Sequence, residues 1–156
     1  VRQYATDSPE ATARIVALTL MADGAIDLSE TEALQRHEII SKLGLESSLF
    51  DRVVHEFCED MMAFAYRATS NRHELDSVSI NALLNEIRDA DKQNMLLSSM
   101  FNIVNAEGTI LPGESALIAQ ALRVWRLDNR TASDSPEPIH NRLRRTKRAN
   151  AAKITA

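Results

Sequence analysis

Along most of the first 127 positions apolar residues recur every three or four residues, the period of a helix with one buried face. Ile15, Val16, Leu18 and Leu20 set the first such face, on a helix from Pro9 to Ala22. A second runs from Leu28 to Leu43, with Ala33, Leu34, His37, Ile40 and Leu43 near one side and Gly44 as its C-terminal stop. Ser47 opens a third, whose stripe is Phe50, Val53, Val54, Phe57, Met61, Phe64 and Ala65. It reaches Ala68, and a polar connection covers residues 68–75. Asp76 caps a fourth helix with Ile80, Leu83, Leu84 and Ile87 inside; Asp89 to Asp91 mark either a break or a join to the fifth. The fifth reaches Ala106 through Leu97, Met100, Phe101 and Val104. The sixth, Pro112 to Leu127, buries Leu117, Ala121, Val124 and Trp125. Period-two alternation occurs only at Asp76 to Ile80 and runs straight into a helical pattern. The expected fold is all-α, a compact bundle of about six to seven helices.

One stretch occurs twice. Ala22-Asp23-Gly24-Ala25-Ile26-Asp27-Leu28-Ser29-Glu30 returns as Ala106-Glu107-Gly108-Thr109-Ile110-Leu111-Pro112-Gly113-Glu114, 84 residues later. Each copy follows an apolar helix and precedes another, so each reads as a tight corner. Gly24 and Gly108 would take the left-handed conformation that closes a helix. Ile26 and Ile110 would tuck back into the core. Asp27 would cap the next helix with Glu30 as its reciprocal acid, while Pro112 and Glu114 take these places in the second copy, where Leu111 has no capping side chain. The bundle is thus expected to consist of two pseudo-repeated helical hairpins whose corners face one another. The corner also resembles the second half of an EF-hand loop. Met21 and Ile103 stand where that loop needs oxygen ligands, which argues against an ordinary EF-hand.

Composition adds three constraints. The 44% hydrophobic content is ample for a core, and four Gly and four Pro are too few for a chain of tight β-turns. No run of about 18 apolar residues offers a membrane span. Cys58 is the one cysteine, so an internal disulfide and a cysteine-based zinc site are excluded, and a reducing cytoplasm is the expected setting. The net charge of −4 is unevenly spread: residues 1–127 carry 11 Lys/Arg against 19 Asp/Glu, and residues 128–156 carry 7 against 3. The expected organisation is a loose segment 1–8, a helical domain 9–127, and a polar linker with a basic tail 128–156. The tail holds Arg142, Arg144, Arg145, Lys147 and Arg148 within seven residues, a charge run suited to nucleic acid, to anionic lipid, to an acidic patch of its own domain or of a partner protein, or to solvent. It has no aromatic residue for stacking on bases.

No phosphate-binding glycine loop and no nucleophile elbow occurs. His55 and Glu59, one turn apart, read as a surface pair; His37 reads as a core histidine and Trp125 as core. No catalytic residue is identified, and the expectation is a non-enzymatic protein.

The doubled Ala-Asp/Glu-Gly-x-Ile-x-x-x-Glu motif within an all-helical stretch from Pro9 to Leu127 resembles the TerB-like tellurite-resistance domain family, which includes the N-terminal module of a membrane-anchored DnaJ-type co-chaperone. The resemblance implies a helical, cytoplasmic stress-response protein with protein partners and without established catalysis. It also implies acidic residues suspected of holding metal: Asp23, Asp27 and Glu30, with Glu107 and Glu114 in the second copy. Position 107 is Glu rather than Asp, and Leu111 replaces the second acid. Five converging carboxylates would raise one another's pKa values unless a cation neutralised them, and their hard oxygens suit Ca²⁺, Mg²⁺ or Mn²⁺. Helix caps on a solvated acidic surface account for the same residues without an ion.

Overall fold

A computed structural model of the chain describes residues 1–22, 38–67, 75–106, 108 and 110–126, the side chains of 65–67 excepted. Packing divides the chain after Trp125, and only Arg126 of the second unit is described. The first unit is all-α, with six helices and no strand among the described residues: α1 (Pro9–Leu20), α2 (Ile39–Lys42), α3 (Ser47–Arg67), α4 (Ser77–Leu84), α5 (Ala90–Val104) and α6 (Pro112–Val124). No described helix is long and apolar enough to cross a membrane.

The bundle is built around α1. Ser8 Oγ accepts the Ala11 N–H at 3.1 Å and Pro9 occupies the first turn, where its missing donor costs nothing. Every residue from Ala11 to Leu20 is buried, so α1 has no solvent face. The apolar period predicts one buried stripe; the rest of the cylinder closes because its threonines are satisfied locally and Arg14 is met by partners from outside the helix. Thr12 Oγ1 donates to the Ser8 carbonyl at 3.0 Å and Thr19 Oγ1 to that of Ile15 at 2.9 Å. Ala11, Ala13 and Ala17 add no bulk. The helix packs against α3 and α5 and touches α4; α6 closes over α4 and α5.

The remaining helices start and stop by local chemistry. Asp76 Oδ1 accepts the Ser79 N–H at 2.7 Å, and Asp89 Oδ1 accepts that of Lys92 at 2.9 Å, so α4 and α5 are separate helices. Gly44, at φ +67°, ends α2, with the Leu45 N–H reaching back to the Ile40 carbonyl at 3.0 Å. Trp125 is 5% exposed and its Nε1 donates to the Leu84 carbonyl at 3.0 Å. Arg126 follows in the left-handed region at φ +54°, so α6 stops at Val124 rather than at Leu127.

Four further expectations change. The helix expected from Leu28 to Leu43 does not run through Glu38, which sits at φ +51°; residues 28–37 lie outside the described residues. The buried face of α5 is Leu96, Met100, Ile103 and Val104, and Phe101, about 100° round the helix from Met100, is 37% exposed. Ile110 does not tuck into the core but is 44% exposed. Residues 1–8, expected to be loose, are tied to α3 and to the 86–89 segment before α5 by hydrogen bonds and ion pairs described below. The mutual packing of the two repeated hairpins involves residues 23–37 and lies outside the described residues.

Candidate functional site

The described part of the second corner follows the sequence reading in its backbone. Gly108 is left-handed at φ +75° and its N–H donates to the Asn105 carbonyl at 3.1 Å. Leu111 has no capping oxygen, and its own N–H donates to Glu114 Oε2 at 2.6 Å. This bond and the glycine turn close the corner without an apolar anchor, which is why Ile110 can face solvent. Glu114 is 5% exposed, and one of its two oxygens is committed to the Leu111 amide. Asp23, Asp27, Glu30 and Glu107 lie outside the described residues. Among the described residues no group of three His, Cys, Asp or Glu side chains is arranged to hold a metal ion.

The flanks of the two corners nevertheless share one place. At the C-terminal end of α1 a cavity of about 230 Å³ is lined by Met21 and Ala22 from the first corner's approach, by Phe57 and Met61 of α3, and by Gly113 and Leu117 of α6. Ala22 immediately precedes Asp23, and Gly113 immediately precedes Glu114. One polar wall interrupts the apolar lining: Gln120, 8% exposed, donates through Nε2 to the Ser77 carbonyl at 2.7 Å and to Asn81 Oδ1 at 2.8 Å. Cys58 is half-buried beside this cavity's Met21, with 4.0 Å between the sulfurs. His55 is exposed and meets Glu59 at 3.4 Å, the surface pair that its spacing predicts.

A second polar centre lies around Arg14, midway along α1, and sequence reading missed it. Arg14 is 1% exposed, and its guanidinium donates to Glu86 and to the Arg2 carbonyl and lies 4.4 Å from the centroid of the Tyr4 ring. Tyr4 Oη in turn donates to Glu56 Oε2 at 2.6 Å. Arg2 pairs with Glu59 at 2.7 Å and, at 3.5 Å, with Asp60. The only signal was an arginine inside an apolar run; its partner Glu86 stands 72 residues away, with nothing local to announce it.

Burial, and then the hydrogen bond to Glu56, push the Tyr4 phenol up to about 12 from its ordinary 10. The folded protein then holds a proton that the unfolded chain releases near pH 10. The corresponding stability is complete below that pH and is lost as pH rises toward 12. Denaturation midpoints measured across this window should fall further for the native chain than for Tyr4→Phe; parallel curves would show that Tyr4 is not the group responsible.

Compared with protein-family models, with curated proteins and with solved structures, the chain matches none.

Proposed function

We propose that the chain is a TerB-like helical module of a tellurite or stress response, acting by binding rather than by catalysis at the end of the bundle where its acid-glycine corners begin. What supports this reading is the cavity that Ala22 and Gly113 share, because these residues adjoin the motif's acids in both copies. A cation held there would draw on Asp23, Asp27, Glu30 and Glu107, together with the oxygen of Glu114 that does not cap Leu111. An all-carboxylate donor set suits Ca²⁺, Mg²⁺ or Mn²⁺. The apolar cavity beside these acids suits a side chain of a protein partner. The charge asymmetry between residues 1–127 and 128–156 favours a second reading, an adaptor that docks through its basic tail on an anionic surface.

Calorimetric titration with each ion separates these readings. The first reading expects heat with at least one ion, weakened by Asp23→Asn and by Glu30→Gln, and a rise in melting temperature. Saturation a hundredfold above Kd adds about 2.7 kcal/mol to the folded state. No heat and no shift with Ca²⁺, Mg²⁺ or Mn²⁺ would remove the cation site and leave protein binding. Loss of salt-sensitive DNA or liposome binding on deletion of residues 128–156 would favour the tail.

A further inference from the structure

We propose that Val1–Thr6 is an exchangeable strap, the resident occupant of a peptide-recognition groove that accepts in trans an extended segment carrying Arg and Tyr two residues apart.

The strap itself buries little. Val1, Arg2, Gln3, Ala5 and Thr6 are exposed, and Tyr4 is only half-buried. Its attachment is polar: the Arg2 N–H donates to Asp60 Oδ2 at 2.7 Å, the Arg2 guanidinium reaches Glu59 and the Glu56 carbonyl, and Tyr4 Oη meets Glu56. Ion pairs between exposed groups add little stability, so this segment belongs to the class that opens locally without global unfolding.

Its far end is fixed. The Asp7 N–H donates to the Glu86 carbonyl at 2.8 Å, and its carboxylate accepts the N–H groups of Arg88 and Asp89 at 2.7 and 2.9 Å. Asp7 also stands in the left-handed region at φ +58°, where the chain turns into Ser8 and α1. Asp7 therefore fixes the end of the strap that joins α1.

What the strap covers is a receptor. Opening it uncovers Arg14, which keeps Glu86 but loses the Arg2 carbonyl and the Tyr4 ring. Arg14 Nε has no hydrogen-bond partner among the described residues even with the strap in place. A replacement must supply a carbonyl acceptor and, two residues on, an aromatic ring for the guanidinium face. It must also bring a cation for Glu59 and Asp60 and a hydroxyl for Glu56. An Arg-x-Tyr segment in extended form meets all four demands. Beside the strap a groove of about 480 Å³, bounded by Phe64 of α3 and by Ser79 and Leu83 of α4, gives such a segment room to continue.

The built-in strap competes at the millimolar effective concentration of a short tether, so it masks the groove from weak ligands. The test uses the full chain carrying Arg2→Ala and Tyr4→Ala, and a fluorescein-labelled peptide of the sequence Val1 to Ser8, followed by anisotropy. The variant should bind the peptide at least about tenfold more tightly than the native chain, and a peptide with Ala in place of Tyr should fail. A variant that melts cooperatively yet shows no binding at about 1 mM peptide overturns the proposal. Should the variant fail to fold, amide exchange of the native chain decides: the Arg2 and Tyr4 amides should exchange much faster than those of α1. Exchange at the rate of α1 would mean that the strap does not open by itself, and the proposal falls.

Discussion

Glu86→Ala should destabilise the protein by about 3 kcal/mol, the largest loss expected from any single polar substitution among the described residues. The reason lies in Arg14. Its side chain is 1% exposed, whereas that of Glu86 is 15% exposed. Removing the carboxylate strands a buried guanidinium without its ion-pair partner. Breaking one side of a buried pair costs roughly 3–5 kcal/mol, and the residual exposure at Glu86 admits water and places this site at the lower end. That is a large share of the roughly 5–15 kcal/mol that holds a domain together. Guanidinium denaturation followed by far-ultraviolet circular dichroism measures it. The double variant Arg14→Met with Glu86→Leu should lose less than Glu86→Ala alone, because neither charge then remains inside. A loss under about 0.5 kcal/mol for Glu86→Ala, the level of an ordinary surface change, would show that Arg14 is solvated in the folded protein.

Phe57→Ala should cost a comparable or larger amount, about 3–5 kcal/mol. Phe57 is 1% exposed and lines the cavity of about 230 Å³ at the end of α1. Truncation removes a ring's worth of contacts and joins the lost volume to space that already exists, so the surroundings have little to collapse onto. Met62→Ala on the same helix, at 68% exposure, should change stability by less than about 0.5 kcal/mol. Equal effects at the two positions would mean that the face of α3 turned toward α1 is misassigned. The pair is informative because the stripe through Phe50, Val53 and Phe57 was read from spacing alone.

What was legible in the sequence was local. Asp76 and Asp89 cap the helices that follow them because each carboxylate reaches an amide three residues ahead, a distance that spacing fixes. Gly44 and Gly108 stand where the backbone turns left-handed, and only a residue without Cβ does so at low cost. Leu111, with no oxygen to offer, still begins α6, because Glu114 bonds its amide. Non-local features were not legible. The polar letters of residues 1–8 read as loose, since their partners Glu56, Glu59, Asp60 and Glu86 stand 52 to 82 residues away. Phe101 and Leu96 differ only in which side of α5 meets α1, and apolar spacing leaves that rotation uncertain by one position. Of the five acids singled out, Glu114 alone is described, and it was placed correctly as the reciprocal acid of a helix start.

The enclosure of α1 on all sides has a mechanical consequence. Arg14, under the strap, and Met21, at the cavity, are seven residues apart on one continuous rod, a distance of about 10 Å. A cylinder gripped around its whole circumference cannot slip or rotate without dragging its neighbours along, and it stays stiff over so short a span. The lining of the cavity and the contacts of Arg14 with Arg2 and Tyr4 therefore stand on a single stiff axle.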